Sequence, residues 1–221
     1  MEMRPQKDYW NAVASEKRFQ HPLRLDWLAS HFSVGHTILD CGCGYGRLFD
    51  KLVQNGYHNL VGADFSQRML RQCRLLHPDL PLVQTDAETL PFEDCSFDAV
   101  LLFALLTCMP VDNQQRALFA EVQRILRAGG LIYISDLLLN TDPRNLERYE
   151  RFAEQFGAYG VFQLPEGVIV RHHAKERIQS LTAAFDCLEY ETFTVTTMNS
   201  HPSAAFQYLG RLRRPISDRR C

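Results

Sequence analysis

Three glycines at alternate positions, Gly42, Gly44 and Gly46, follow an acid in the run Asp40-Cys-Gly-Cys-Gly-Tyr-Gly46. Glycines so spaced let the backbone turn tightly and let a ligand approach the main chain. The residues after them read as a helix, whose first N–H groups point at that ligand. A second acid, Asp64, follows Gly44 by 20 residues at the end of a β-type run. That is the distance at which a carboxylate reaches ribose hydroxyls, so strand, glycines, helix, strand and acid make a nucleoside-binding frame. The dinucleotide pattern G-x-G-x-x-G would need glycine at position 47, where this chain has Arg47. Asp40 would repel a pyrophosphate and attract an ammonium. S-adenosylmethionine has no phosphate and carries an ammonium and a sulfonium. An acid before the glycines and an acid on the ribose suit it.

The elements that must position these residues alternate along the chain. Thr37–Cys41, Leu60–Ala63, Pro81–Gln84, Phe97–Leu102 and Leu131–Ser135 are short β-type runs bounded by turn residues. Between them Arg47–Gly56 reads as helical, and Ser66 is placed to cap a helix through Leu76. Asp112 is placed to cap a longer helix through Leu126, which Gly129-Gly130 stops. Strands alternating with helices predict an α/β fold, a parallel sheet covered on both faces. Pro22–Phe32 has apolar residues at helical spacing. After the fifth strand, Pro143–Gly157 and Ala174–Phe185 read as helices and Phe156–Val161 as a loop. Leu188–Met198 and Ala204–Leu212 read as a hairpin turned at Asn199-Ser-His-Pro202.

At 221 residues, 46% apolar and 23% charged, the chain is an ordinary globular domain. A net charge of −2 gives no global field to gather nucleic acid or an anionic membrane. The longest apolar run, Ala99–Met109 broken by Thr107, falls short of the ~20 residues a membrane span needs. The first 20 residues hold Glu2, Asp8 and Glu16 and no apolar leader stretch, so a cytoplasmic protein is expected. Seven cysteines, an odd number without framework spacing, are expected as free thiols, and no spacing suits a metal. The Arg-rich tail 211–221 reads as a solvated end or a partner-binding one.

As a set, these segments resemble the class I S-adenosylmethionine-dependent methyltransferases of the small-molecule type. Leu39-Asp-Cys-Gly-Cys-Gly-Tyr-Gly46 matches the family's first motif, and Ala63-Asp-Phe-Ser66 with Met69-Leu70 its second. Gln84-Thr-Asp-Ala-Glu88, Leu90-Pro-Phe92 and Ser96-Phe-Asp98 match the adenine-side region. Arg124-Ile-Leu-Arg-Ala-Gly-Gly130 matches the turn before strand five. The resemblance covers 37–136 and names no substrate. It implies a three-layer α/β/α, Rossmann-like domain over 1–221, with a seven-stranded, mostly parallel sheet of order 3-2-1-4-5-7-6 and an antiparallel final hairpin. It divides the chain into an N-terminal helical cap (1–36), a cofactor-binding core (37–136), a lid (137–184), the closing hairpin (185–213) and a tail (214–221).

Residue by residue, the resemblance implies that Asp40, Gly42, Gly44 and Gly46 hold the methionine part of S-adenosylmethionine and that Asp64 takes the ribose. Phe65 and Met69 would pack on adenine, Met69 being alternatively a core residue. Asp86 and the Ala87 backbone would read the adenine amino edge, and Phe103 and Ala104 would form the floor under the methyl. Tyr9 and Trp10 either close over the cofactor or pack against the domain.

The implied reaction is an in-line displacement that leaves S-adenosyl-L-homocysteine. It is mainly a matter of positioning, and a general base is needed only for a nucleophile that keeps its proton at neutral pH. Ligands of open α/β sheets sit beyond the carboxyl ends of the strands. The candidates there for contact with a small-molecule acceptor are Thr107, Cys108, His172 and His173. His201, on the hairpin turn, is the candidate base because His titrates near neutrality, or else a surface residue without a role. Tyr149, Phe152, Phe156, Tyr159 and Phe162 suit a partly apolar acceptor or form the lid's own core. No nucleic-acid or membrane partner and no metal is expected. Two competing readings are a non-catalytic module that binds cofactor or a partner protein on the same fold, and an NAD-dependent oxidoreductase. An intact glycine loop and ribose acid stand against the first, Arg47 and Asp40 against the second.

Overall fold

The computed structural model describes residues 6–13 and 20–213, so the tail 214–221 lies outside the described residues. At the centre of the sheet, β1 (Ile38–Cys41) pairs in parallel with β2 (Leu60–Asp64), which pairs with β3 (Leu82–Gln84). On its other side β1 pairs in parallel with β4 (Phe97–Phe103), and β4 with β5 (Leu126–Leu137). A small hairpin of β6 (Val161–Gln163) and β7 (Ile169–Arg171) stands apart. The long antiparallel pair β8 (Phe185–Thr196) and β9 (Pro202–Leu212) then closes the sheet against β5. The order is β3-β2-β1-β4-β5-β9-β8. This is the expected arrangement, with the closing strands numbered two higher because β6 and β7 intervene.

Side-chain alternation explains why this sheet is covered on both faces. On β4, Val100 and Leu102 enter one apolar layer, and Ala99, Leu101 and Phe103 the other. Ile132 and Ile134 against Leu131 and Tyr133 repeat the pattern on β5. A strand apolar on both faces must sit between helical layers. One layer packs on α5 (Asp112–Ile125) and α7 (Lys175–Leu181) through Leu118, Val122 and Ile178. The other packs on α2 (Leu25–His31), α3 (Phe49–Gln54) and α4 (Gln67–Leu76) through Trp27, Phe49 and Leu70.

Local signals set most boundaries. Ser66 caps α4, its side chain accepting from the Met69 N–H. Asp142 caps α6 (Pro143–Phe156) in the same way, and left-handed Gly157 ends it. Asp112 does not cap α5. Val111 occupies that position, and the Asp112 carboxylate turns to Arg171 and Arg177, where two guanidinium partners replace one N–H. Helix α5 also stops at Ile125, ahead of the glycine pair, because Leu126 already pairs with Phe97 across a bulge in the β4–β5 ladder.

Cys41, Cys43, Cys73, Cys108 and Cys187 are free, while Cys95 is disulfide-bonded, which corrects the expectation of thiols throughout. Cys95 lies on a turn between β3 and β4, outside the packed layers that hold Cys41, Cys43 and Cys73. No helix among the described residues is long and apolar enough to cross a membrane.

Candidate active site

The chain leaves β1 through Gly42, Gly44 and Gly46, all at positive φ. The three serve different ends. A Cβ on Gly42 would meet Leu105 Cδ1 at 2.9 Å, and one on Gly46 would meet Cys73 Sγ at 2.6 Å, so these positions admit close packing. A Cβ on Gly44 would meet nothing nearer than Met69 Sδ at 3.8 Å. Gly44 and Gly42 line a cavity at this turn, and Gly46 does not. Asp64 lines the same cavity from the end of β2. Its Oδ2 accepts from the Gly44 N–H at 2.9 Å and its Oδ1 from the Ser66 N–H at 2.8 Å. Each oxygen keeps a lone pair for a ligand. Burial raises its pKa to about 6, against the backbone hydrogen bonds from Ser66, Gly44 and Phe65.

Asp40 was expected at the cavity wall and is not there. It is buried within β1, and burial raises its pKa to about 7, the Arg47 charge opposing the rise. Arg47 lines the cavity instead. Its Nη1 donates to the His21 carbonyl at 2.8 Å and its guanidinium lies 5.6 Å from the Phe103 ring centroid. Its Nη2 is buried without a hydrogen-bond partner. A buried donor left open on a cavity wall calls for an anionic oxygen, and the carboxylate of S-adenosylmethionine fits it. In the sequence Arg47 stands out only as a missing glycine, although its place beside the loop is the signal of this role.

Phe65, Met69, Asp86, Ala87, Phe103 and Ala104 all line this cavity. So does Trp10, which clusters with Met69. Met69 is therefore both a cavity wall and a packing residue. Helix α1 (Gln6–Ala12) brings Trp10 there, seated because Asn11 Oδ1 accepts from Ser66 Oγ at 2.8 Å and the Arg68 N–H at 3.2 Å. Tyr9 does not line the cavity; it packs edge-on against Trp10 at 5.0 Å.

A second cavity, of about 560 Å³, adjoins the first and shares Trp10, Ala104 and Cys108 with it. That volume is typical of small-molecule sites. Ala104 holds φ +56, and this left-handed residue turns the chain off β4 between the two cavities. Thr107 lines the second cavity. Its N–H donates to both Asp136 oxygens at 3.2 Å and its hydroxyl donates to Oδ1. Asp136 also accepts from the Leu137 N–H at 2.8 Å. Burial raises its pKa to about 6 in spite of these bonds. Asp136 is not among the residues expected from sequence, although it lies near the carboxyl end of the fifth strand, where such a fold gathers its site.

His172 lines the second cavity and His173 lines neither. Adjacent residues in extended chain face opposite ways. His172 Nδ1 meets the Tyr149 hydroxyl, and its pKa is pushed well down, by burial first and then by the charge of Arg148. His173 is turned into the core. Its Nδ1–H donates to the Leu137 carbonyl at 3.2 Å and its Nε2 accepts from Gln115 Nε2 at 2.9 Å. Burial lowers its pKa to about 3. His201 lines the cavity from the exposed hairpin turn. Burial pushes the Cys108 thiol well up, with Asp136 and Asp64 adding to the shift, which leaves it a poor nucleophile. His21, unsuspected from sequence, also lines the cavity, with Nδ1 3.0 Å from Ser135 Oγ. Of the aromatic residues after β5, Phe162 lines the cavity while packing on buried Tyr149, Val168 and Val170.

Comparison with known proteins bears on this geometry. Residues 39–134 match the family described as methyltransferase domain. A phthiotriol/phenolphthiotriol dimycocerosates methyltransferase of Mycobacterium ulcerans is 33% identical over 137 residues, 60% of this chain and 49% of its own length. An uncharacterized methyltransferase of Synechocystis is 36% identical over 125 residues, 57% of each chain. The chain thus spans about half the length of the curated relatives it matches. A crystal structure described as an S-adenosylmethionine-dependent methyltransferase, from Methanosarcina mazei, superposes with a TM-score of 0.81 at 21% identity, covering 86% of this chain and 98% of that one.

Proposed function

We propose that the chain, which over residues 39–134 matches the methyltransferase domain, is an S-adenosylmethionine-dependent methyltransferase that transfers a methyl group to a small organic acceptor held in the second cavity. The observation that carries this reading is the wall of Trp10, Ala104 and Cys108 common to both cavities. A methyl directed at that wall from one side meets a nucleophile held on the other. The bound cofactor supplies a methyl made electrophilic by its sulfonium.

The protein's part is to bind and align. Arg47 Nη2 and the open face of Gly44 receive the methionine end. Asp64 accepts from the ribose hydroxyls, and Phe65, Met69, Asp86 and Ala87 enclose the adenine. Trp10, clustered with Met69, excludes water from the junction. Thr107, fixed by Asp136, and His172, fixed by Tyr149, present rigid polar groups to the acceptor. Orientation of this kind contributes on the order of 7–11 kcal/mol to such displacements. His201, exposed on its turn, accepts the proton of an acceptor that still carries one.

Titration calorimetry with S-adenosylhomocysteine, then chromatographic detection of that product after incubation with S-adenosylmethionine and a panel of phenols, amines, carboxylates and thiols, tests the proposal. Binding followed by product formation is expected. Absence of binding overturns the cofactor reading; binding without turnover of any acceptor points to the non-catalytic module.

A further inference from the structure

Helix α6 presents Arg144, Arg148 and Arg151 at spacings of four and three residues, which sets them along one face. All three line the second cavity. Arg148 is held in place: its guanidinium carbon lies 3.7 Å from the Phe162 ring centroid and 5.8 Å from that of Tyr149. Its Nε is buried and has no hydrogen-bond partner. Among the described residues the ion pairs of this helix are confined to Arg144 with Asp142, at 3.9 Å. Glu147 and Glu166 also line the cavity. The site thus contains a stacked, half-buried guanidinium that reaches Tyr149 and leaves its Nε open, flanked by two more cations. Leu164, Val170 and Met198 add apolar lining to the same cavity.

We propose that the acceptor carries an anionic oxygen group, a carboxylate or a phosphate, which Arg148 binds at the far side of the cavity from the Ala104–Cys108 junction, with Arg144 and Arg151 contributing charge. This rests on reading the second cavity as the acceptor site. A planar guanidinium offers paired N–H groups in a fixed fork that matches both anions. Stacking on Phe162 removes the freedom the side chain would otherwise lose on binding. The depressed His172 pKa is in keeping with a positive field here, Arg148 and Arg144 both adding to the effect of burial. The acceptor that fits has an apolar body, an anionic end on α6 and its nucleophile at the junction.

The test is titration of the full chain with benzoate, phenyl phosphate and the neutral benzyl alcohol, with and without saturating S-adenosylhomocysteine. One or both anions are expected to bind at least tenfold more tightly than benzyl alcohol, and the stronger of the two identifies the group. Arg148→Met keeps an apolar stem over Phe162 and should cost at least tenfold in anion affinity, Arg148→Lys should recover part of it, and the dissociation constant for S-adenosylhomocysteine should not move. Arg151→Ala, at an exposed position, should weaken the anions severalfold without affecting the fold. Equal binding of all three probes overturns the proposal, as does anion affinity indifferent to Arg148→Met and Arg151→Ala. Because the anions are also titrated alone, a chain that failed to bind S-adenosylhomocysteine would refute the cofactor reading while the Arg148 site was still scored.

Discussion

Asp64 ties the end of β2 to the glycine turn and faces the cofactor cavity, with a pKa raised to about 6. Ribose hydroxyls donate best to the ionised carboxylate, so binding favours that form and releases a proton wherever the free protein holds one. Affinity for S-adenosylhomocysteine should therefore be flat above about pH 7 and fall as pH drops through about 6, approaching tenfold per unit for one proton. Asp64→Asn should weaken binding at pH 8 by at least tenfold, about 1.4 kcal/mol, and flatten the acid limb. A residual slope near pH 7 would report Asp40, whose pKa is raised to about 7. Calorimetry across that range checks both. The glycines separate in the same assay. Gly44→Val should abolish binding because its side chain enters open cavity, with about 1–3 kcal/mol of backbone strain at its positive φ as the cost to the fold. Gly46→Ala should instead destabilise the fold, since the added carbon strikes Cys73 Sγ at a positive φ, a cost of about 1–3 kcal/mol. For an acceptor that keeps its proton at neutrality, His201→Ala should lower turnover by ~10²–10⁴-fold and leave cofactor affinity unchanged.

Among the elements, α5 is the one on which the segment after β5 is anchored. Gln115 is fully buried in it, and its Nε2 donates one hydrogen to His173 Nε2 at 2.9 Å and shares the other between the Met109 carbonyl at 2.9 Å and the Leu106 carbonyl at 3.2 Å. Its Oε1 accepts from Arg177 Nε and Nη2, both at 3.2 Å. One amide thus ties α5, α7, the turn after β4 and the chain that follows β7. Gln115→Leu keeps the bulk and strands these partners. It should cost about 1–3 kcal/mol, lowering the thermal midpoint by several degrees at roughly 2–4 °C per kcal/mol. Differential scanning calorimetry reads that shift; an unchanged midpoint would mean the buried partners find others.

At the scale of the whole molecule, the parallel core was legible because each strand ends on turn residues and each helix keeps its period. The β6–β7 hairpin was not, because Val161-Phe-Gln and Ile169-Val-Arg are three-residue runs, too short for periodicity to mark. The cofactor side was legible because a tight turn sets residues close in sequence against one ligand. On the acceptor side, Thr107, Arg148, His172 and His201 come from separate segments, so no spacing linked them. Arg148 in particular carried no mark in the sequence, since a periodic pattern cannot say that a charged face borders a cavity. The two cavities also draw on different stretches of chain. The first is lined by residues from 41 to 114 with Gln6 and Trp10; beyond the junction, most of the second's wall comes from 137 to 203. The match to the methyltransferase domain ends at 134, before that wall begins. If the second cavity holds the acceptor as proposed, donor recognition and acceptor choice are separately heritable: substitutions at Leu164 or Val170, which lie outside the wall the two cavities share, should change acceptor preference while the donor dissociation constant stays within about twofold.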